Sequence, residues 1–180
     1  MKIKIALSLL VVLLLSNYMF SENPQHMPDF SVVSGDNKTF TFSDVGNKIL
    51  LIFYATKETE TVNINLENRL TELYNKNQKV LSESVMSLGV ADCSSAFLPV
   101  KSLWKDGLIK KSKEKGVTIY GDWSGKMRND FHFILNEANF MIIDKNKMIR
   151  YQASGKISNV EIEKICTLIE TILNEQTRLN

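Results

Sequence analysis

The run Ile49–Ala55 (ILLIFYA) constrains the fold more than any other part of this sequence, because all of its side chains are apolar or aromatic. A strand with one face in water alternates apolar and polar residues, whereas a strand buried on both faces reads as a continuous apolar run. Such strands are typical of sheets that carry helices on both faces. The run therefore predicts the central strand of an α/β domain.

The segments around this strand alternate between extended and helical patterns. The other predicted strands and extended segments are 28–33, 39–42, 84–90, 117–120, 140–143 and 148–152. The predicted helices are 59–77, 97–115, 127–133 and 159–176. Asp144–Lys147 separates the last two strands and indicates a hairpin. Strands that alternate with helices pair in parallel through right-handed crossovers, so the order predicts a mixed sheet flanked by helices.

The first residues have the layout of a secretory signal peptide. Lys2 and Lys4 give a positive start, and Ile5–Leu15 is an apolar run interrupted by a single serine. A transmembrane helix needs about 20 apolar residues, so this run is too short to span a bilayer comfortably. The pattern predicts a signal peptide over residues 1–21, with cleavage after Ser21.

Export divides the chain into three parts. A polar linker over residues 22–27 follows the signal peptide, and one domain occupies residues 28–180. Met19 is a poor residue three positions before the cut, so a retained membrane anchor stays open as an alternative. Once cleaved, the chain is not expected to be an integral membrane protein.

The charge balance excludes a protein that coats nucleic acid. Removing residues 1–21 deletes Lys2 and Lys4 but no acid, which leaves 20 basic and 20 acidic residues. Nucleic-acid binding depends on a marked excess of positive charge. We therefore expect no nucleic-acid partner.

Several segments in the first half resemble the opening of the extracytoplasmic thiol-disulfide reductases of the thioredoxin superfamily. They are Pro28–Ser31, the strand at Phe40, Ser43-Asp44 and Asn47–Thr56. The resemblance implies a thioredoxin-like fold, in which the strand at 49–55 runs into a Trp-Cys-Pro-Pro-Cys turn. Here the turn reads Lys57–Thr61, with Glu58 and Thr61 at the two cysteine positions.

The superfamily also places a cis-proline just before its penultimate strand, beside the active site. In this chain that place falls at Ala138–Asn139, where there is no proline. Disulfide exchange needs a thiolate at a helix N-terminus and a second thiol that resolves the mixed disulfide. A carboxylate and a hydroxyl perform neither step. The resemblance thus implies no thioredoxin-type oxidoreductase activity, and we expect no cofactor.

Segments in the second half are similar to the YtfJ family, small periplasmic proteins of Gram-negative bacteria that have a thioredoxin-like fold and also lack the dithiol. They are Val90–Asp92, Tyr120–Trp123, Ala138–Asn146 and Arg150–Gly155. The resemblance implies a periplasmic protein. We expect a non-catalytic module that binds an unidentified protein or small molecule around Lys57–Thr61, Cys93 and Trp123.

The alternative is a degenerate redox protein that uses Cys93 alone as a peroxidase, reductase or sensor. Cys93 follows a predicted strand, with Asp92 and Ser94, at the expected N-terminus of the next helix, where a thiol can acidify. No basic partner or resolving cysteine is near it in sequence, which favours a small loop residue. Cys166 lies on the apolar stripe of the last helix and is expected in the core. A disulfide between the two cysteines stays open.

The remaining polar residues give weaker signals. His26 and His132 are the only histidines, and we predict no metal site. Glu58 and Glu60 form a carboxylate pair at the predicted start of the first long helix, where acids more often complement the helix dipole. Lysines along the 97–115 helix indicate a solvated face or a docking surface for an acidic protein or anionic lipid head groups. They are Lys101, Lys105, Lys110, Lys111, Lys113 and Lys115.

Overall fold

The computed structural model describes residues 25–178, with side chains through residue 175. Its strands are β1 (Ser31–Ser34), β2 (Thr39–Thr41), β3 (Ile49–Ala55), β4 (Val85–Asp92), β5 (Ile119–Asp122), β6 (Asn139–Ile143) and β7 (Ile149–Ser154). Its helices are α1 (Ile64–Lys76), α2 (Gln78–Ser84), α3 (Lys101–Lys115), α4 (Lys126–Asp130) and α5 (Asn159–Arg178), with a 3-10 helix at Phe42–Val45.

The strands described form one mixed sheet in the order β2-β1-β5-β4-β3-β6-β7. β3 pairs in parallel with β4, and β4 in parallel with β5, as β-α-β connections require. The hairpin of β6 and β7 is added antiparallel on the other side of β3, and β1 runs antiparallel to β5. The predicted α/β class, central strand and terminal hairpin are confirmed.

β3 is buried on both faces of the sheet, as its apolar run predicts. Leu50, Ile52 and Tyr54 pack on one face against the N-terminal segment and the residues of and after α4. Ile49 and Leu51 pack on the other face against the apolar stripe of α5. Fully burying a side chain of this size contributes about 1.5–3 kcal/mol, so the strand anchors both layers of the core.

The helix α1 begins at Ile64, so the predicted start at residue 59 is wrong. The residues from Lys57 to Asn63 form consecutive turns instead. Thr59 supplies the local reason, because its Oγ1 accepts a hydrogen bond from the Thr56 backbone N–H at 3.0 Å. A side chain that bonds nearby backbone in this way competes with helix formation.

The helix α3 begins at Lys101, so the predicted start at residue 97 is also wrong. Pro99 lacks a backbone N–H, and its ring disfavours helical geometry at Leu98. Residues 98–100 form a turn that leads into the helix. The short helix α2 was not predicted; its buried residue, Leu81, packs beside Leu73 and Cys166.

The last residues of the predicted linker lie against the domain. The Ile149 backbone N–H donates to the Gln25 carbonyl at 2.8 Å, and the Met27 N–H donates to the Lys147 carbonyl at 2.8 Å. Met27 is a buried member of the core. Backbone pairing and burial therefore attach residues 25–27 to the edge of the sheet beside β7. The predicted signal peptide lies outside the described residues.

A helix that crosses a bilayer needs about 20 mostly apolar residues. None of the helices between residues 25 and 178 combines the length and apolar character that a membrane crossing requires.

Candidate functional site

The carboxyl ends of β3, β4 and β5 meet at one edge of the sheet, which we call the carboxyl edge. Asp92 at the end of β4 pairs in register with Asp122 at the end of β5. In open α/β sheets, ligands bind outside the carboxyl ends of the strands. Three predicted site residues follow these strands: Glu58 and Thr61 in the turn after β3, and Cys93 directly after β4.

The turn after β3 is held by its own threonines and carries no sulfur. Glu58 and Thr61 are exposed in it. Hydrogen bonds from its own backbone N–H and from the Thr56 side chain lower the pKa of Glu58. The Thr59 N–H donates to the Thr56 carbonyl at 3.2 Å, which closes the turn. Because α1 begins further along the chain, at Ile64, these residues do not sit at a helix N-terminus, and the expectation that Glu58 and Glu60 complement a helix dipole there is wrong.

Asn63 ties this turn to the far end of the hairpin. Its side chain is buried; Nδ2 donates to the Gly155 carbonyl at 2.9 Å, and Oδ1 accepts from the Ile157 N–H at 2.9 Å. The bonds join the start of α1 to the loop between β7 and α5. The turn that holds Glu58 and Thr61 is thus followed by a structural junction at Asn63.

Asn139 lies at the predicted cis-proline position, and it is 3% exposed. Its Oδ1 accepts hydrogen bonds from the Ile134 N–H at 2.8 Å and the Ser154 hydroxyl at 2.6 Å. Its Nδ2 donates to the carbonyls of Ile134 at 3.0 Å and Glu137 at 2.9 Å. The side chain therefore uses its full hydrogen-bonding capacity to hold the loop before β6.

Cys93 is buried in the protein. It is 1% exposed and packs with Leu108 of α3 and Ile119 of β5. Burial, followed by the negative charges of Asp92 and Asp122, raises the pKa of the Cys93 thiol to about 12. A thiol in such surroundings stays protonated at neutral pH.

The helix N-terminus that was expected to lower the pKa of the Cys93 thiol does not lie beside it. α3 begins at Lys101, well beyond the thiol, so the predicted helix N-terminus at Cys93 is wrong. Cys166 lies in a different cluster with Leu73 and Leu81, which confirms its core position. Both cysteines are free, and the disulfide that the sequence left open is not formed.

A buried polar cluster lies directly under the carboxyl edge. Arg128 Nη1 donates to Asp92 Oδ2 at 2.8 Å and to the Ser94 hydroxyl oxygen at 2.9 Å. The Ser94 hydroxyl donates to Asp92 Oδ1 at 2.6 Å. Burial opposes ionisation of Asp92, but the hydrogen bonds from Ser94 and Arg128 outweigh it and lower the pKa of Asp92. The pair is therefore an ionised, hydrogen-bonded salt bridge.

Asp122 extends this cluster to β3. Its Oδ2 accepts hydrogen bonds from the Tyr54 hydroxyl at 3.2 Å and the Arg128 N–H at 3.0 Å. Burial, then the charges of Asp122 and Asp92, raises the pKa of the Tyr54 hydroxyl far above its ordinary value. Sequence reasoning did not predict this cluster. The sequence does show an aspartate at the end of each of two largely apolar strands, β4 and β5. Nothing in the sequence indicates that either aspartate contacts Arg128.

A groove of about 1510 Å³ runs between α1 and α3 and reaches the carboxyl edge. Small residues of β4 lie along it, at Ser87, Gly89 and Ala91. Because these residues do not fill the space between the two helices, the middle of the sheet is left accessible there. The groove is lined by apolar side chains of both helices, including Leu70 and Leu108.

Ion pairs connect α3 to the opposite wall of this groove. Lys111 contacts the Glu60 carboxylate, and Lys115 Nζ lies 3.2 Å from Glu67 Oε2. Although Glu60 contacts it, burial and then the Lys115 ammonium lower the pKa of Lys111. Part of the predicted basic stretch therefore serves to bridge two elements of this chain.

Trp123 is a half-buried residue anchored to β1. Its Nε1 donates to the Val33 carbonyl at 2.8 Å. The ammonium groups of Lys101 and Lys105 lie 5.3 and 6.0 Å from the centre of its ring. The structure thus brings Trp123 next to α3, but uses its polar atom internally. No group of three His, Cys, Asp or Glu side chains between residues 25 and 178 is arranged to hold a metal ion.

Comparison with known proteins identifies the fold. No protein-family model matches the sequence, and no curated protein matches it either. Many solved structures do match. The exposed lipoprotein thioredoxin Etrx1 of Streptococcus pneumoniae is 18% identical, with 78% of this chain and 98% of that chain covered and a TM-score of 0.55.

Two further structures show the same likeness. A thioredoxin-family thiol:disulfide interchange protein from Chlorobium tepidum is 14% identical, covers 86% of this chain and 99% of its own, and has a TM-score of 0.57. An uncharacterized conserved protein from Geobacillus kaustophilus is 14% identical, covers 88% and 85%, and has a TM-score of 0.62. The chain therefore has a thioredoxin-like fold, as predicted; the comparisons give no support to the narrower YtfJ resemblance.

Proposed function

We propose that this protein is an exported, thioredoxin-like binding module that performs no thiol-disulfide exchange. One observation carries the proposal: the turn after β3 holds Glu58 and Thr61 at the predicted positions of the two sulfurs, while Cys93, directly after the neighbouring strand β4, is 1% exposed. With a pKa of about 12 for Cys93, about one thiol in 10⁵ is ionised at pH 7, against about one in thirty for a free cysteine. The site lacks the attacking group.

The groove between α1 and α3 supports a binding role. It opens at the carboxyl edge, where this class of fold places its ligands, and its apolar lining offers area that a ligand or protein segment can cover. The fixed turn and the Asn139-bound loop give this edge a defined shape in the free protein. We propose that the partner binds along this groove.

Export and a periplasmic location form the second part of the proposal. They are supported by the sequence pattern of residues 1–21 and by the short segments that are similar to the YtfJ family. Fractionation of cells that express the full chain with a C-terminal tag tests this part. Recovery of a shortened chain in the periplasmic fraction is the expected result. A full-length chain in the cytosol contradicts export, and a full-length chain in the membrane fraction indicates the retained anchor instead.

Thiol reactivity separates the proposal from a redox role for Cys93. The Cys166→Ser variant isolates Cys93, and the Cys93→Ser variant is its matched control. We expect a small disulfide reagent at neutral pH to react with folded Cys166→Ser about 10³-fold more slowly than with the same chain in denaturant. Reaction of the folded variant at the rate of a free thiol contradicts the proposal and favours the single-cysteine redox protein.

A further inference from the structure

The segment that leads into α3 exposes four large apolar side chains. Phe97 is 70% exposed, Leu98 81%, Leu103 67% and Trp104 40%. We call these four residues the apolar tip. Single exposed apolar residues are ordinary on soluble proteins, whereas a contiguous group marks an interaction surface.

The backbone makes this segment compact. The Lys101 N–H donates to the Phe97 carbonyl at 3.0 Å, and the Trp104 N–H donates to the Val100 carbonyl at 3.1 Å. These bonds join residues four apart, and the four members of the tip fall within eight consecutive residues, from Phe97 to Trp104. Phe97 and Leu98 precede α3, and Leu103 and Trp104 lie in its first turn.

Two cations flank the tip without a carboxylate partner. Among residues 25–178, Lys101 and Lys105 form no salt bridge; Lys101 lies over the Trp123 ring, and Lys105 Nζ donates to Asn37 Oδ1 at 2.5 Å. The stretch from residue 95 to 105 contains no acid. The segment therefore carries two positive charges and no negative one before Asp106, in contrast to the paired lysines further along α3.

We propose that the apolar tip inserts into the interface of an anionic lipid bilayer, with Lys101 and Lys105 facing the head groups. Aromatic and leucine side chains beside lysines are the combination that binds such interfaces, because apolar burial and attraction to anionic lipid act together. A bilayer accepts side chains as exposed as Phe97 and Leu98 without a complementary pocket. This inference goes beyond the proposed function, although Leu103 and Trp104 also line the groove between α1 and α3, and it does not depend on thiol chemistry.

The test uses the protein purified from the envelope of expressing cells, with the N-terminus that the cell leaves on it. Vesicles of phosphatidylcholine, with or without phosphatidylglycerol, are mixed with the wild type and two variants. Phe97→Ser/Leu98→Ser removes the most exposed part of the tip. Val160→Ser is the matched control, because Val160 is 71% exposed at the start of α5. The readout is quenching of Trp104 fluorescence by brominated lipid. The Trp104→Phe variant keeps Trp123, so its signal is the background that is subtracted.

We expect quenching with anionic vesicles and little with neutral ones. The double substitution should weaken binding at least about tenfold, since two large apolar side chains no longer enter the bilayer, while Val160→Ser should not change it. The N-terminal 24 residues contain no tryptophan, so a retained leader does not imitate the signal. Absence of Trp104 quenching with anionic vesicles overturns the proposal. Equal quenching in the double variant, or a dimer that this variant abolishes without any vesicle binding, also overturns it.

Discussion

Replacing Asn139 by alanine tests whether the hydrogen bonds of its buried amide hold the loop before β6. The buried side chain makes four hydrogen bonds, two through each of its polar atoms. Each intramolecular hydrogen bond contributes about 0.5–1.5 kcal/mol net. Their partners at Ile134, Glu137 and Ser154 belong to exposed residues, so water satisfies part of what is lost. We therefore expect Asn139→Ala to lower the free energy of unfolding by about 2–4 kcal/mol.

Urea unfolding followed by circular dichroism measures this change. For a slope of about 2 kcal/mol per molar urea, the transition midpoint should fall by about 1–2 M. Asn68→Ala is the matched control, because Asn68 is exposed on α1, where alanine is the better helix former and the change should be neutral or slightly stabilising. A loss below about 1 kcal/mol for Asn139→Ala, with an unchanged slope, would refute the reasoning.

Two further predictions concern the carboxyl edge and the packing of α3. Asp92→Asn should cost about 2–3 kcal/mol near pH 7 by leaving Arg128 unpaired; because the folded pKa of Asp92 lies below its ordinary 3.8, the stabilisation is present above that value and disappears as pH falls below it. Melting temperatures of variant and wild type should therefore converge in acid, and a constant gap would contradict the assignment. Gly35→Ala should destabilise, because a Cβ there lies 2.3 Å from the Lys105 carbonyl oxygen, whereas Gly107→Ala has open space and should stabilise α3 by up to about 1 kcal/mol. Similar melting temperatures for the two glycine variants would show that the contact yields freely.

The loop before β6 illustrates the limits of sequence reasoning. The resemblance to the thioredoxin superfamily predicts the cis-proline position at Ala138–Asn139. In the structure, Asn139 is buried. Its partners at Ile134 and Glu137 lie close in sequence, but Ser154 lies on the neighbouring strand. A sequence shows that an amide is present; its full set of partners depends on the register of β6 against β7.

The two cysteines differ in how far the sequence predicts their burial. Cys166 falls on an apolar helical stripe, and that periodicity alone predicted its burial. Cys93 stands in a segment without periodicity, where the sequence favours a small loop residue and leaves an acidified thiol open as the alternative. The structure closes it between Leu108 and Ile119.

The sequence by itself determined the fold class and the absence of a CxxC dithiol, because a continuous apolar strand, helical periodicity and the positions of the two cysteines are read directly from the chain. Only the tertiary structure decided that Cys93 is buried, that Asp92 and Asp122 share Arg128, and that the apolar tip is exposed. These facts depend on which distant segments meet, and interactions of this kind are set by packing over the whole domain.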